Sequence, residues 1–338
     1  MRKFIGVLLL LAVITVAGCS SSSDGDGGKD KEGEASGGSD FPEKNIEIVA
    51  PASPGGGWDG TARAMQKILS DEGIVNQNMN VVNKPGGGGE VGWQYLKEKD
   101  AHTLAINSSL VITNNVLGQS DLTYKDFTPL ATLTTEWVAL AVAPDSDMTS
   151  GKEVMQKLKD DPKSLKIGVA PSLGNDDHLS FIQAAKEFGV DVTKIDFQVY
   201  ESGGDVVTAL LGGHVDAATM SVSEAKEQHQ ADKINMVAVS SDERLEGLDD
   251  VKTWKEQGVD MVFPHWRGIM GPPDMSDEEI DYWDNKISKM IDTDAWQDVL
   301  DNNGWESYYK DSDETKKFLK SETDKYETLL NDAGLTDK

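Results

Sequence analysis

Residues 51–60 read PASPGGGWDG, with Gly55, Gly57 and Gly60 at the G-x-G-x-x-G spacing. The stretch follows the apolar run NIEIVAP (45–51) and opens DGTARAMQKILSDEG (59–73), where Ala62, Met65, Ile68 and Leu69 share one helical face and Gly73 ends the helix. A strand, a glycine turn and a helix in that order belong to an open α/β sheet, whose ligands sit beyond the carboxyl ends of the strands. The helix N-terminus there offers unpaired N–H groups and a positive dipole end, and glycines let an anion approach the backbone closely.

Three features turn this loop away from a dinucleotide. Pro51 to Pro54 separate the strand from the first glycine, whereas a nucleotide turn is tighter. The second strand ends in VVNKP (81–85), with Asn83 and Lys84 where a ribose-binding carboxylate would stand. Most tellingly, KPGGGGEVGW (84–93) repeats the spacing at Gly87, Gly89 and Gly92, so two neighbouring loops read as two walls of one small anion pocket.

Working outward, NMNVVNKP (78–85) and HTLAINSS (102–109) read as strands around the helix EVGWQYLKEKD (90–100), which predicts a parallel sheet with helices on its faces. The long β-rich run PLATLTTEWVALAVAPDSD (129–147) reads as a segment that leaves one sheet for another. Alternation then restarts: strands LKIGVAPS (165–172), IDFQVYES (195–202), HVDAATMS (214–221) and INMVAVSS (234–241), with helices NDDHLSFIQAAKEFG (175–189), GGDVVTALLGG (203–213) and SEAKEQHQADK (223–233). VDMVFPHWRGIMGPP (259–273) reads as a second crossing, followed to the end by helices whose Asp, Glu and Lys runs form solvated faces. The expected architecture is two α/β lobes, the first spanning 41–139 plus 243–338 and the second 140–242.

The N-terminus adds a location. Arg2 and Lys3 precede an apolar run from Phe4 to Ala17, an export signal too short for a comfortable membrane span. VAGC (16–19) resembles the lipobox of bacterial lipoproteins, which makes 1–18 the signal peptide and Cys19, the only cysteine, the lipidated residue. Residues 20–40 hold no large apolar side chain, so 19–40 reads as a flexible tether to a lipid anchor on the outer face of the cell membrane. The chain carries a formal charge of −27, made more negative by loss of the signal, and has no basic patch for nucleic acid.

FPEKNIEIVAPASPGGGWDGTAR (41–63), VVNKPGGGGEVGWQYL (81–96) and LLGGHVDAA (210–218) resemble the solute-binding proteins of tripartite tricarboxylate transporters, in order, from Phe41 to at least Met270. Trp58-Asp59-Gly60 is similar to the branch named for tricarboxylates. The resemblance implies a type II periplasmic-binding-protein-like (Venus flytrap) α/β fold, whose lobes close on a small polycarboxylate such as citrate and deliver it to a membrane permease. It implies that the Ser53-containing loop and the Lys84–Gly88 loop form one wall, with the N–H groups of Gly55, Gly56, Gly87 and Gly88 holding a carboxylate. Trp58 would pack on the ligand's carbon skeleton or cover the loop. Asp59 would meet a ligand hydroxyl or serve as a helix N-cap partner. Ser172, Gly174 and Asn175 match cleft-lining positions of the second lobe, joined by Ser202, Gly203 and Gly204 at another helix start and by Ser221 and Ser223.

Asp176 and Asp177 sit oddly beside an anion. Helix capping with the side chains turned outward is one reading, and a hard cation shared with the ligand, with His178 completing the site, is the sharper one. Counter-charges are few: Arg63 reads as a surface pair, while Arg267, with His265 and Trp266, and Lys84 are candidates to reach the ligand. No G-x-S-x-G, H-E-x-x-H or P-loop is present, and the five histidines are dispersed, so no enzyme and no cofactor is expected. The alternatives are a sensor component feeding a two-component kinase and a metal-dependent hydrolase built on Asp176 and Asp177.

Overall fold

The structure, a computed structural model, describes residues 41–200 and 202–336; the expected signal (1–18), Cys19 and tether lie outside them. β1 (Ile46–Ala50) is flanked by β2 (Met79–Asn83) and β3 (Thr103–Asn107), both parallel to it. α1 (Gly57–Asp71) and α2 (Glu90–Lys97) make the crossovers. Ile48, Met65, Leu69 and Leu104 are buried together on the α1 side, as the helical spacing predicts.

β4 (Thr128–Val142) is the long apolar run, and it belongs to both halves of the molecule. Its residues 128–137 pair antiparallel with β9 (Pro264–Gly271), and Val138–Val142 pair with β7 (Ala217–Ser221). β8 (Asn235–Val239) also pairs with the second half of β4. Beyond β7 come β5 (Lys166–Val169) and β6 (Asp196–Val199), so the order is β2-β1-β3-β9-β4-β7-β5-β6. The helices of the second lobe are α4 (Gly151–Asp160), α5 (Asp176–Phe188), α6 (Gly203–Leu211) and α7 (Val222–Gln230). The fold is thus the expected two-lobed α/β architecture.

Three elements escape the sequence reading. α3 (Leu110–Val116) is too short to show a helical period. α4 lies in a charged stretch whose buried face is Gly151, Val154, Met155 and Leu158. β10 (Glu306–Lys310) interrupts the C-terminal helices α8 (Asp277–Ile291), α9 (Asp294–Asn303) and α10 (Ser312–Asp332), and adds to β4. α10 packs on α3, β4 and α5, so it touches both lobes. Most of its charges are solvated, but Glu322 is buried and paired with Lys325 at 2.9 Å, and the buried Tyr326 hydroxyl accepts from Trp266 Nε1 at 2.8 Å. Residues 243–262 lie against the second lobe: Thr253 bridges to Val239, and Trp254 packs so closely that a Cβ on Gly151 would lie 2.6 Å from its ring.

One residue ties the crossings together. Fully buried Ser240 accepts from Val138 N–H at 2.9 Å and donates to the Phe263 carbonyl at 2.7 Å. Its own N–H donates to Val138 and its carbonyl accepts from Phe263 N–H. Ser240→Ala strands two buried backbone groups, each costing about 1–3 kcal/mol. Urea unfolding is expected to show a lower midpoint with an unchanged slope.

Candidate functional site

The strands of both lobes end toward the middle of β4 and border the candidate cleft there: Ser109, after β3, meets Asp176, after β5, and Ser223, after β7, meets Glu136 of β4. The first glycine loop is braced from within. Asp59 Oδ2 accepts from Gly55 N–H and from Arg63 Nε, both at 2.9 Å, and Oδ1 accepts from Asn83 Nδ2 at 2.8 Å. Burial alone would raise the Asp59 carboxyl, but these donors hold it below its ordinary value. The Gly55 N–H is thus already engaged, and Asp59, in the first turn of α1, reaches back to brace the loop. The N-cap of α1 is Gly56, which leaves the first turn at Gly57 and Trp58 to present its N–H groups.

The second loop takes four successive positive φ values, 128°, 59°, 59° and 103° at Gly86 to Gly89, which only a glycine run does without strain. Asn114 Nδ2 holds it through the Gly87 and Gly88 carbonyls at 3.3 and 3.2 Å. Ser53 is exposed, and Trp58 is half-buried against Trp93 with ring centroids 5.7 Å apart, so it covers the loop. Lys84 places its ammonium 4.1 Å from the Tyr95 ring, along α2.

On the second lobe, Asn175 caps α5 by accepting from His178 N–H at 3.1 Å, and Ser202 caps α6 by accepting from Asp205 N–H at 3.3 Å. Gly174 (φ +87°) closes on the first lobe, where a Cβ would lie 2.5 Å from Leu117. Its N–H donates to His178 Nδ1 at 2.9 Å, and burial pushes that imidazole down to about 3, so His178 is neutral. Ser172 Oγ is buried without a partner. Ser221 Oγ donates to Glu224 at 3.1 Å and lies 3.1 Å from Ser223 Oγ. The Glu224 carboxylate lies directly over Gly203, where no side chain would fit, and Gly204 is exposed on the same turn.

The centre of the cleft is an ion pair that the sequence reading did not include. Glu136, with no exposure, is bound by Arg267 Nη2 and accepts from Ser223 Oγ at 2.6 Å. Burial would raise its carboxyl, but the charges of Arg267 and His265 and the Ser223 hydroxyl hold it low. The Arg267 guanidinium sits 4.9 Å from the Trp305 ring and lies flat against Gly57, where a Cβ would be 2.6 Å from Nη2. Its Nη1 is buried with no hydrogen-bond partner among the described residues. A single Glu in an otherwise apolar and Thr-rich strand was the signal for this pair, since a buried carboxylate demands a cation.

His265 Nε2 lies 3.5 Å from Asp176 Oδ2, which also accepts from Ser109 Oγ at 2.7 Å, a contact between the lobes. Trp266, expected beside them, points the other way into the core because strand residues alternate faces. Asp176 and Asp177 do not turn outward either: both are buried, and each keeps an oxygen without a partner. Burial raises both carboxyls, and Asp177 is driven well above the ordinary range by the added repulsion of Glu224 and Asp176. Among the described residues no three His, Cys, Asp or Glu side chains converge as a metal site, so the shared-cation reading gains nothing from the geometry.

The family model described as "Tripartite tricarboxylate transporter family receptor" matches residues 61–335. A UPF0065 protein of Bordetella pertussis is 24% identical over 87% of this chain and 91% of its own. The crystal structure of a TctC solute binding protein from Polaromonas superposes with a TM-score of 0.70 at 26% identity, covering 86% of this chain and 99% of that one. R. palustris Rpa4515 with adipate reaches a TM-score of 0.76 at 22% identity, covering 88% and 99%.

The neutral His178 makes the cleft wall acid-sensitive. Its folded value near 3 lies below the unfolded value, so stability is full above about pH 6.5 and falls as pH drops toward 3, by at most about 1.4 kcal/mol per pH unit. His178→Gln is expected to flatten that part of a melting-temperature profile against pH.

Proposed function

The chain belongs to the tripartite tricarboxylate transporter receptor family, and we propose that it is an extracytoplasmic receptor that closes two lobes on a small carboxylate and hands it to a membrane permease. The observation that carries the ligand class is the Arg267 guanidinium, which lies through Nη2, Cζ and Nε against Gly57 in the first turn of α1 and whose Nη1 has no partner among the described residues. A guanidinium and helix N–H groups facing one point bind a carboxylate by charge-assisted hydrogen bonds. The adipate on a protein of the same fold is in keeping with that class. Gly56, Gly57, Trp58 and Arg267 form the first-lobe wall in this reading, with Gly87 and Gly88 beside them. Ser172, Gly174, Asn175, Ser202, Gly203, Gly204 and Ser221 form the second-lobe wall. The citrate-like expectation from Trp58-Asp59-Gly60 has less support, because Asp59 is occupied inside the loop.

Closure follows from the same geometry. Ser109–Asp176 and Ser223–Glu136 span the lobes, so a ligand that fits only between them favours the closed state. We draw the crossings at Trp137–Val138 and Phe263–Pro264, which assigns 243–262 to the second lobe on the strength of Thr253 and Trp254. Membrane attachment rests on Cys19, since among the described residues no helix is long and apolar enough to cross a bilayer.

Calorimetry with mono-, di- and tricarboxylates tests the reading, which fails if none binds. Arg267→Lys keeps a charge but loses the planar fork, and is expected to weaken carboxylate binding about 10–100-fold. Gly57→Ala displaces the guanidinium and is expected to do the same, with a thermal melt verifying that each variant folds.

A further inference from the structure

The charges are not evenly spread along the cleft. Glu136 is answered by Arg267, and Asp176 by His265 and Ser109. Asp177 and Glu224 make no ion pair among the described residues, although the charges of His265 and Arg267 reach Glu224. Asp177, on α5, is buried with Oδ1 unpartnered, and its other oxygen meets only the Asn175 amide at 3.3 Å. Glu224, on α7, lies over Gly203 at the start of α6, the place where a second-lobe helix would otherwise meet a ligand carboxylate. The protein's own carboxylate therefore stands on the anion-binding end of α6, beside the buried Asp177. The first-lobe end offers the opposite: the free Nη1 of Arg267 and the first turn of α1.

We propose that the cleft takes a zwitterion, a small carboxylate carrying an ammonium group, with the carboxylate at Arg267 and Gly57 and the ammonium between Asp177 and Glu224. The inference rests on the carboxylate reading above and narrows it. A dicarboxylate would set its second charge against Glu224, which already occupies the start of α6, and like charges facing each other oppose binding. An ammonium there fills the open oxygen of Asp177 and neutralises the pair. The charged groups acting on Asp177 are Asp176 on its own helix, Glu224 on α7 and Glu136 on β4, while Arg267 and His265 on β9 act on Glu224. An ammonium arriving among them favours the ionised form of Asp177, so binding should release a proton.

The test is calorimetry on the whole protein with matched pairs, 4-aminobutyrate against succinate and 5-aminovalerate against glutarate, with citrate as a tricarboxylate comparison. At least one zwitterion is expected to bind about tenfold or more tightly than its partner. Its heat should differ between phosphate and Tris buffers as the released proton is taken up. Glu224→Gln and Asp177→Asn are expected to reverse the preference, and Asp177→Asn to abolish the buffer dependence. Glu224→Gln changes an exposed residue, which keeps the comparison valid if Asp177→Asn folds poorly. Tighter binding of succinate, glutarate or citrate by the unmodified protein overturns the zwitterion and leaves the carboxylate receptor standing. Silence from every carboxylate overturns both.

Discussion

Everything around the cleft is arranged to keep one carboxylate charged out of water. Glu136 on β4 has no solvent, and stripping an ion of its hydration costs several kcal/mol unless partners replace it. Arg267 and Ser223 replace it, and each comes from a different part of the molecule. Arg267 fixes β9 beside β4 and is itself fixed by Trp305 and by the bare face of Gly57. Ser223 draws α7 of the second lobe onto the same group. The pair thus sets how near the lobes come, and it leaves Nη1 as the part of the guanidinium not spent on structure.

The glycine loops show how much of this was legible beforehand. The strand-turn-helix order, the repeated glycine spacing and the two crossings are local patterns, and local patterns survive in a single sequence. The destinations of side chains do not. Asp59, Arg63 and Asn83 form one brace, but nothing in their spacing tells that Asn83 folds back onto residues 52 and 59. Arg267 was named and Glu136 was not, since partners 131 residues apart meet only in the fold. His265 and Trp266 were grouped by adjacency, although a strand sends neighbours to opposite faces.

Short elements were lost for a related reason. α3 buries five of its seven residues without an amphipathic stripe, because α10 and the second glycine loop pack on it. β10 reads as the end of a helix because its register comes from β4 rather than from its own sequence, ESYYK. Both lie at the cleft or behind it, where tertiary contacts outweigh propensity.

The shared strand β4 has a consequence for how the chain is made. Each end of β4 is completed by segments far downstream, β9 and β10 on one side and β7 and β8 on the other. Neither lobe can close its sheet until most of the polypeptide has emerged, and such long loop closures slow folding. A chain that stays unfolded while it is synthesised is a chain that can still be threaded through a membrane, so the topology that joins the lobes also favours their export.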